Sequence, residues 1–387
     1  MPRVLLAFDK FKGSLTAGQA CEAAAEALRG LHPSWVLDHC PLADGGEGFA
    51  EILTRAAGGT LVEEPVAGPR GEVVGARFGL VPARHIPAAA RALLGLPAPS
   101  GDAPVAVVEL AQASGLVLLG PGRRDPWETS THGTGQLLLA AASRGVQAVV
   151  LGVGGSATND LGLGALGALG LEFFADSGER LQPATPATWA RLGRIGGRLP
   201  PALPPLHIAC DVDNPLLGRR GAAAVFGPQK GLQPGDLPRL EHASARVGLM
   251  LGAFCGQPDT LMDTPGAGAA GGTAFGLLCA AGARLVAGSA LVAAWLDLDT
   301  RLAAADIVLT GEGCFDASSL AGKGPGMVAA RARTRGKTVA VFAGVAPPAA
   351  IPAGISLHVI TPAGASSDDA MRGAGANLAQ AVRAVFP

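Results

Sequence analysis

Between Ala148 and Asp160 an apolar run breaks through glycines into a string of oxygen-bearing side chains, and no other stretch constrains the fold as tightly. Residues 148–151 read as a buried strand, the segment GVGGSATND follows, and the Gly/Ala/Leu-rich residues 161–171 are long enough for a short helix. A strand that turns through glycines into a helix N-terminus presents unpaired N–H groups at the positive end of a helix dipole, which suits an anion. Ser156, Thr158, Asn159 and Asp160 place four polar side chains in five residues, more than a turn or a cap needs. Phosphate or metal binding is expected here, the alternative being a βα turn capped by Asn159 or Asp160.

The same unit recurs along the chain. Residues 4–8 run as a strand into DKFKGSLT, with Ser14 or Thr16 capping an Ala-rich helix to about Arg29. Residues 35–40 lead to PLADGGEG and a helix over 49–57, so two successive strand ends carry charged groups on glycine-flexed loops. Residues 60–82 alternate apolar and polar around GPRG, the signature of an antiparallel hairpin. Strands are expected at 105–110 and 206–209, with helices capped by 129–135 and over 237–254. Plain alternating units then return: strands 306–310, 338–343 and 358–361, helices 325–335 and 368–385. Hence a two-domain α/β protein is expected, a parallel-sheet domain built from residues 1–60 and 288–387 with a second α/β domain, 61–287, inserted. The ligand cleft is expected between them.

Composition narrows the classes. Net charge is −1 with no basic run, which argues against nucleic acid. The six cysteines lie far apart without a Cys-x-x-Cys pair, so free thiols in a reducing compartment are expected. Asp9 and Lys10 interrupt the N-terminal apolar run before a signal-peptide core forms, and Arg284 and glycines break residues 266–296, so neither membrane insertion nor export is expected. A cytoplasmic protein is anticipated. Only five lysines occur among 30 lysines and arginines, and four of them (Lys10, Lys12, Lys230, Lys323) sit in short polar loops that contain glycine. An ammonium is a compact charge suited to a phosphate oxygen.

Two motif matches mislead. Gly336-Lys337-Thr338 and Gly322-Lys323 lack the earlier glycine of a P-loop, since Arg331 and Ala317 stand there. Gly152-x-Gly154-x-x-Ala157 fits a dinucleotide fingerprint on paper, but Asp160 would repel a pyrophosphate unless a divalent cation lay between. Gly266-x-Gly268-x-x-Gly271 is a weaker match without a clear strand before it. The tally across the chain is acidic groups at strand ends (Asp9, Asp44, Asp211, Asp213, Glu312, Asp316), lysines on neighbouring loops, and three glycine-rich loops. Phosphoryl transfer needs that inventory: donors around the phosphates, carboxylates for Mg²⁺, and a carboxylate to take a hydroxyl proton.

At these residues the chain resembles the glycerate kinase family, the bacterial type that phosphorylates D-glycerate at the 2-position. The matching stretches are residues 9–16 (DKFKGSLT), 41–49 (PLADGGEGF), 133–136 (GTGQ), 152–163 (GVGGSATNDLGL), 211–218 (DVDNPLLG), 225–231 (VFGPQKG), 265–272 (PGAGAAGG) and 309–323 (LTGEGCFDASSLAGK), in order over nearly the full length. Cys314, Ser318-Ser319 and His132 depart from residues common in the family. The resemblance implies an ATP- and Mg²⁺-dependent kinase of two α/β domains acting on a small hydroxy acid. Phosphorylation at the 3-hydroxyl, a nicotinamide dehydrogenase and a non-catalytic ligand sensor are the alternatives.

Roles are assigned on physical grounds. Gly154, Gly155, Ser156, Thr158, Asn159, Gly268, Gly271 and Lys323 are expected to hold the nucleotide, and Asp160 and Asp211 to ligate Mg²⁺. Lys10 and Lys230 neutralise the transferring group or the substrate carboxylate, Asp44 is the first choice for general base, and Glu312 belongs to the same catalytic set.

Overall fold

The structure, a computed structural model, describes residues 1–98, 103–316, 319, 324–346 and 354–387. With strands numbered along the chain, two compact units separate, Met1–Asp44 with Val292–Pro387 and Gly45–Leu291, each with its own sheet and core. The first crossing falls at Asp44, ahead of the position near 60 anticipated from the sequence. The cause is the helix Phe49–Ala56, which buries Phe49, Ala50 and Leu53 and packs on strands of the second unit.

In the first unit β1 (Arg3–Phe8), β2 (Val36–His39), β11 (Ile307–Cys314), β12 (Thr338–Val345) and β13 (Ser356–Val359) form a wholly parallel sheet ordered β13-β12-β11-β1-β2. β1 is buried from Val4 to Phe8, the pattern of a parallel strand covered on both faces. Ala20, Ala24 and Leu28 of the helix Ala17–Leu31 pack with Leu378 and Val382 of the helix Ala374–Val385 against Val4, Leu6 and Phe8. Thr16 is the cap: its hydroxyl accepts from Gln19 N (3.2 Å), while Gln19 Oε1 accepts from Thr16 N (2.9 Å). Among the strands of this unit the spatial order is second, first, third, fourth, fifth. That is a doubly wound arrangement whose winding reverses between β1 and β11, and ligands of such sheets bind beyond the strand ends at this switch point.

In the second unit β3 (Thr60–Ala67), β4 (Val73–Pro82), β5 (Pro104–Glu109), β6 (Ala148–Gly152), β9 (Leu206–Ala209) and β10 (Arg284–Val286) make one mixed sheet ordered β10-β9-β6-β5-β4-β3. β3 and β4 are the hairpin read from residues 60–82, and β5, β6, β9 and β10 run parallel. β7 (Leu171–Ala175) and β8 (Leu192–Gly197) form a separate antiparallel pair with no forecast in the sequence, because glycines interrupt the alternation of β8.

Three boundaries moved. β11 continues through Gly311, Glu312 and Gly313, all expected in a loop, because β12 pairs alongside as far as Cys314↔Val345. Gly373 divides the final helix into Ser367–Arg372 and Ala374–Val385. The helix after the glycine-rich loop spans only Leu163–Ala168. No helix among the described residues is long and apolar enough to cross a membrane.

Candidate active site

In the first unit the switch point gathers charge. Asp9 follows β1, donates its N–H to Gly311 O (2.9 Å) and is 6% exposed. Its Oδ1 accepts from Lys10 N (2.7 Å) and lies 3.8 Å from Lys10 Nζ, which reaches Asp44 Oδ1 at 3.2 Å. Glu312 sits on β11 one residue beyond Gly311, the register partner of Phe8 at the end of β1. Burial pushes the Asp9 carboxyl up to about 6, with Lys10 pulling it down and the Asp44 charge adding to the rise. Burial likewise pushes Glu312 up to about 7, opposed by a hydrogen bond from Ser319 and reinforced by Asp9, Asp316 and Asp44. Glu312 Oε1 is enclosed and has no hydrogen-bond partner among the described residues. Gly311 is obligatory here, since a Cβ would stand 1.9 Å from Phe342 O.

The second unit holds the glycine-rich loop, and its local geometry differs from a dinucleotide turn. Residues 153–162 are irregular, so the helix begins too late to face an anion bound at the glycines. Gly154 N–H donates to Gly45 O (2.9 Å), and a Cβ at Gly152 would lie 2.6 Å from the same oxygen. Leu116 N–H donates to Gly155 O and Ala157 N–H to Ser114 O, both at 2.8 Å. The loop is strapped on both sides, leaving Ser156 half-buried at its bend.

Lys230 supports this bend from beneath. It is 4% exposed, and its Nζ lies 2.9 Å from Ser156 Oγ, 2.6 Å from Thr158 O and 3.3 Å from Asn159 Oδ1. Burial brings the ammonium down to about 7, with Asp160 pulling it back up. Thr158 Oγ1 is fully buried with no partner among the described residues.

Asp160, expected on a metal, is completely enclosed. Its carboxylate accepts from Thr131 N (2.7 Å), Thr131 Oγ1 (2.8 Å), Gly164 N (3.1 Å) and Gly162 N (3.2 Å). Three donors on Oδ2 and one on Oδ1, around a side chain with no exposed surface, make it an anchor of the loop. Asp211 is half-buried; Oδ2 accepts from Ser289 N (2.8 Å) and Oδ1 from Ser289 Oγ (3.0 Å). Each of its oxygens therefore keeps acceptor capacity. No group of three or more His, Cys, Asp or Glu able to cage a metal occurs among the described residues. The donor set fits Mg²⁺ only as an ion carried on phosphates and touched by one carboxylate, a common arrangement for this cation.

Gly268 and Gly271, expected at a nucleotide, face the protein's own backbone. A Cβ would meet Pro215 O at 2.2 Å from Gly268 and Thr158 O at 2.0 Å from Gly271, so Gly268 backs the 214–215 turn and Gly271 backs the 158–159 segment. Lys323 lies outside the described residues. Two positioning groups escaped the sequence reading. Glu109 closes β5 and accepts from Gly48 N (3.1 Å) and Ala50 N (3.2 Å), its signal being an acidic residue ending an apolar strand. Thr131 is a single threonine in a polar run, and nothing in the sequence marks it as the partner of Asp160.

The first unit is a doubly wound sheet with a lysine and buried carboxylates at its switch point, and the second carries a strapped polar loop, which places the chain among α/β proteins with polar groups gathered at strand ends. Comparison with known proteins makes the class specific. The chain belongs to the glycerate kinase family, whose model matches residues 4–387. It is 39% identical over 345 residues to the glycerate kinase of Haemophilus influenzae, covering 88% of this chain and 85% of that protein. The glycerate 2-kinase of Escherichia coli K12 is 34% identical over 346 residues, again 88% and 85% of the two chains. A crystal structure assigned to glycerate kinase 2 of Salmonella typhimurium LT2 superposes with a TM-score of 0.77 at 35% identity, covering 99% of this chain and 97% of that one.

Proposed function

We propose that this chain is an ATP- and Mg²⁺-dependent kinase that phosphorylates D-glycerate at its 2-hydroxyl, giving 2-phosphoglycerate and ADP. The observation that carries the reading is Glu312: a carboxyl at the switch point, raised to about 7, with an enclosed oxygen lacking a partner among the described residues. A general base works best when its proton affinity is near the operating pH and its acceptor atom is uncommitted. On that ground Glu312 is preferred to Asp44, which is 48% exposed at its side chain and contacts Lys10. Lys10 neutralises the substrate carboxylate or the transferring phosphoryl group.

The residues 152–159 loop receives the phosphates through its backbone and the Ser156 hydroxyl, with Lys230, Asp160 and Gly271 holding its shape. Asp211 is the carboxylate left for Mg²⁺, which supplies charge neutralisation of the phosphates when bound. Loss of one preorganised group of this kind costs roughly 10²–10³-fold in turnover. The 34% identity to a glycerate 2-kinase supports the 2-position. The partners are ATP and D-glycerate; with a net charge of −1, no nucleic acid is proposed.

Phosphorus NMR of the product from ATP, Mg²⁺ and D-glycerate tests the proposal. Formation of 2-phosphoglycerate supports it, the 3-isomer overturns the regiochemistry, and no phosphoglycerate overturns the activity.

A further inference from the structure

Lys230 has no role in proton transfer in the scheme above, yet its surroundings are unusual for a charged amine. Two of its three neighbours, Thr158 O (2.6 Å) and Asn159 Oδ1 (3.3 Å), can only accept. The third, Ser156 Oγ (2.9 Å), can accept or donate, and no carboxylate lies within ion-pair distance of the amine among the described residues. A neutral lysine has two N–H groups and one lone pair. The two carbonyls take the N–H groups, and the lone pair then faces the Ser156 hydroxyl. Burial, which brings this amine to about 7, populates the neutral form near neutrality.

We infer that Ser156 and Lys230 form a nucleophile–base pair, and that Ser156 is a covalent modification site for activated phosphoryl and phosphonyl donors. The constellation has the parts such pairs need: a half-buried hydroxyl at the bend of a strapped loop, a base 2.9 Å away, and groups that orient the base. In the step, Lys230 Nζ takes the Ser156 Oγ proton as the Oγ–P bond forms and the bond from phosphorus to the leaving group breaks. The leaving group departs with the bonding pair, and the new ammonium lies beside the phosphoserine. With ATP as donor the leaving group is ADP, and this part alone rests on the placement of the nucleotide proposed above. The pair would then phosphorylate its own loop when no acceptor alcohol is present.

The test treats the full-length protein with a phosphonyl fluoride, which needs no nucleotide site, and maps the adduct by peptide mass spectrometry. One adduct on Ser156 is expected, absent in Ser156→Ala and formed at least about 100-fold more slowly in Lys230→Arg, which keeps a cation but cannot serve as base. Because the arginine variant can misfold, the wild-type rate is also followed against pH. It should rise through about 7 and then level, as the lysine loses its proton under the influence of Asp160, the ionisable group whose charge acts on it. No adduct at Ser156, or a rate that climbs past pH 10 without a break, overturns the inference. A parallel incubation with γ-labelled ATP and Mg²⁺ separates the two proposals. Label on Ser156 from both donors supports both, while label from the phosphonyl fluoride alone supports the pair and counts against the nucleotide placement.

Discussion

The carboxylate of Asp160 takes two hydrogen bonds from one residue, the N–H of Thr131 at 2.7 Å and its hydroxyl at 2.8 Å. The same hydroxyl accepts from Ala165 N (2.9 Å), so a single threonine ties the loop's last residue to the helix that follows. Asp160→Ala strands four buried donors and should destabilise the fold by on the order of 3 kcal/mol, read by chemical denaturation. The Mg²⁺ concentration that half-saturates the surviving folded enzyme should stay unchanged. A shifted Mg²⁺ requirement at normal stability would instead make Asp160 a ligand.

Glu312 and Asp9 bind their protons more tightly in the fold, at about 7 and about 6, than at their ordinary values of 4.5 and 3.8. Between those limits the folded chain carries extra protons. The stability they contribute is present on the acid side and is lost as pH rises through the window, levelling above about 7. Glu312→Gln should therefore flatten the decline and gain on the order of 1–3 kcal/mol relative to wild type at pH 8. Urea unfolding of both proteins at several pH values measures it.

The same substitution should remove catalysis. With Glu312 as base, kcat/KM of the wild type falls as pH drops below about 7, and Glu312→Gln loses roughly 10²–10⁴-fold. Asp44→Asn should lose less. Equal losses in the two variants, or an acid limb that persists in Glu312→Gln, would assign the base elsewhere.

Gly271 has φ +66° and no room for a Cβ, which would stand 2.0 Å from Thr158 O. Gly271→Ala should cost about 2–4 kcal/mol and displace the residues that hold Lys230. Among folded molecules KM for ATP should rise more than kcat falls, a split that steady-state kinetics resolves.

Glu109 closes β5 and caps the helix Phe49–Ala56 through Gly48 N and Ala50 N. Glu109→Ala leaves those amides without this acceptor and should cost about 1–3 kcal/mol. Hydrogen exchange should quicken at Gly48 and Ala50 first. Unchanged protection there would show that the cap contributes nothing.

Much of the fold was legible because β1, β5 and β6 are short apolar runs closed by polar loops, a pattern with few solutions other than parallel strands. The loop at residues 152–160 and the acidic groups after β1 and on β11 were legible for the same reason: polar residues crowded at a strand end stand out against apolar neighbours. Less could be read at Glu312, assigned to a loop although it lies on a strand, since only the pairing of β12 extends β11 that far.

The amino-acid sequence by itself determined where most of the buried parallel strands lie, which loops are polar and where lysine replaces the usual arginine, because these follow from local periodicity and composition. Only the tertiary structure decided what each polar group faces. Asp160 meets Thr131 across 29 residues and Lys230 meets Ser156 across 74. Whether a carboxylate binds a metal or caps a loop, and whether an amine carries its proton, depends on burial and on partners brought near by folding, and neither is encoded in neighbouring residues.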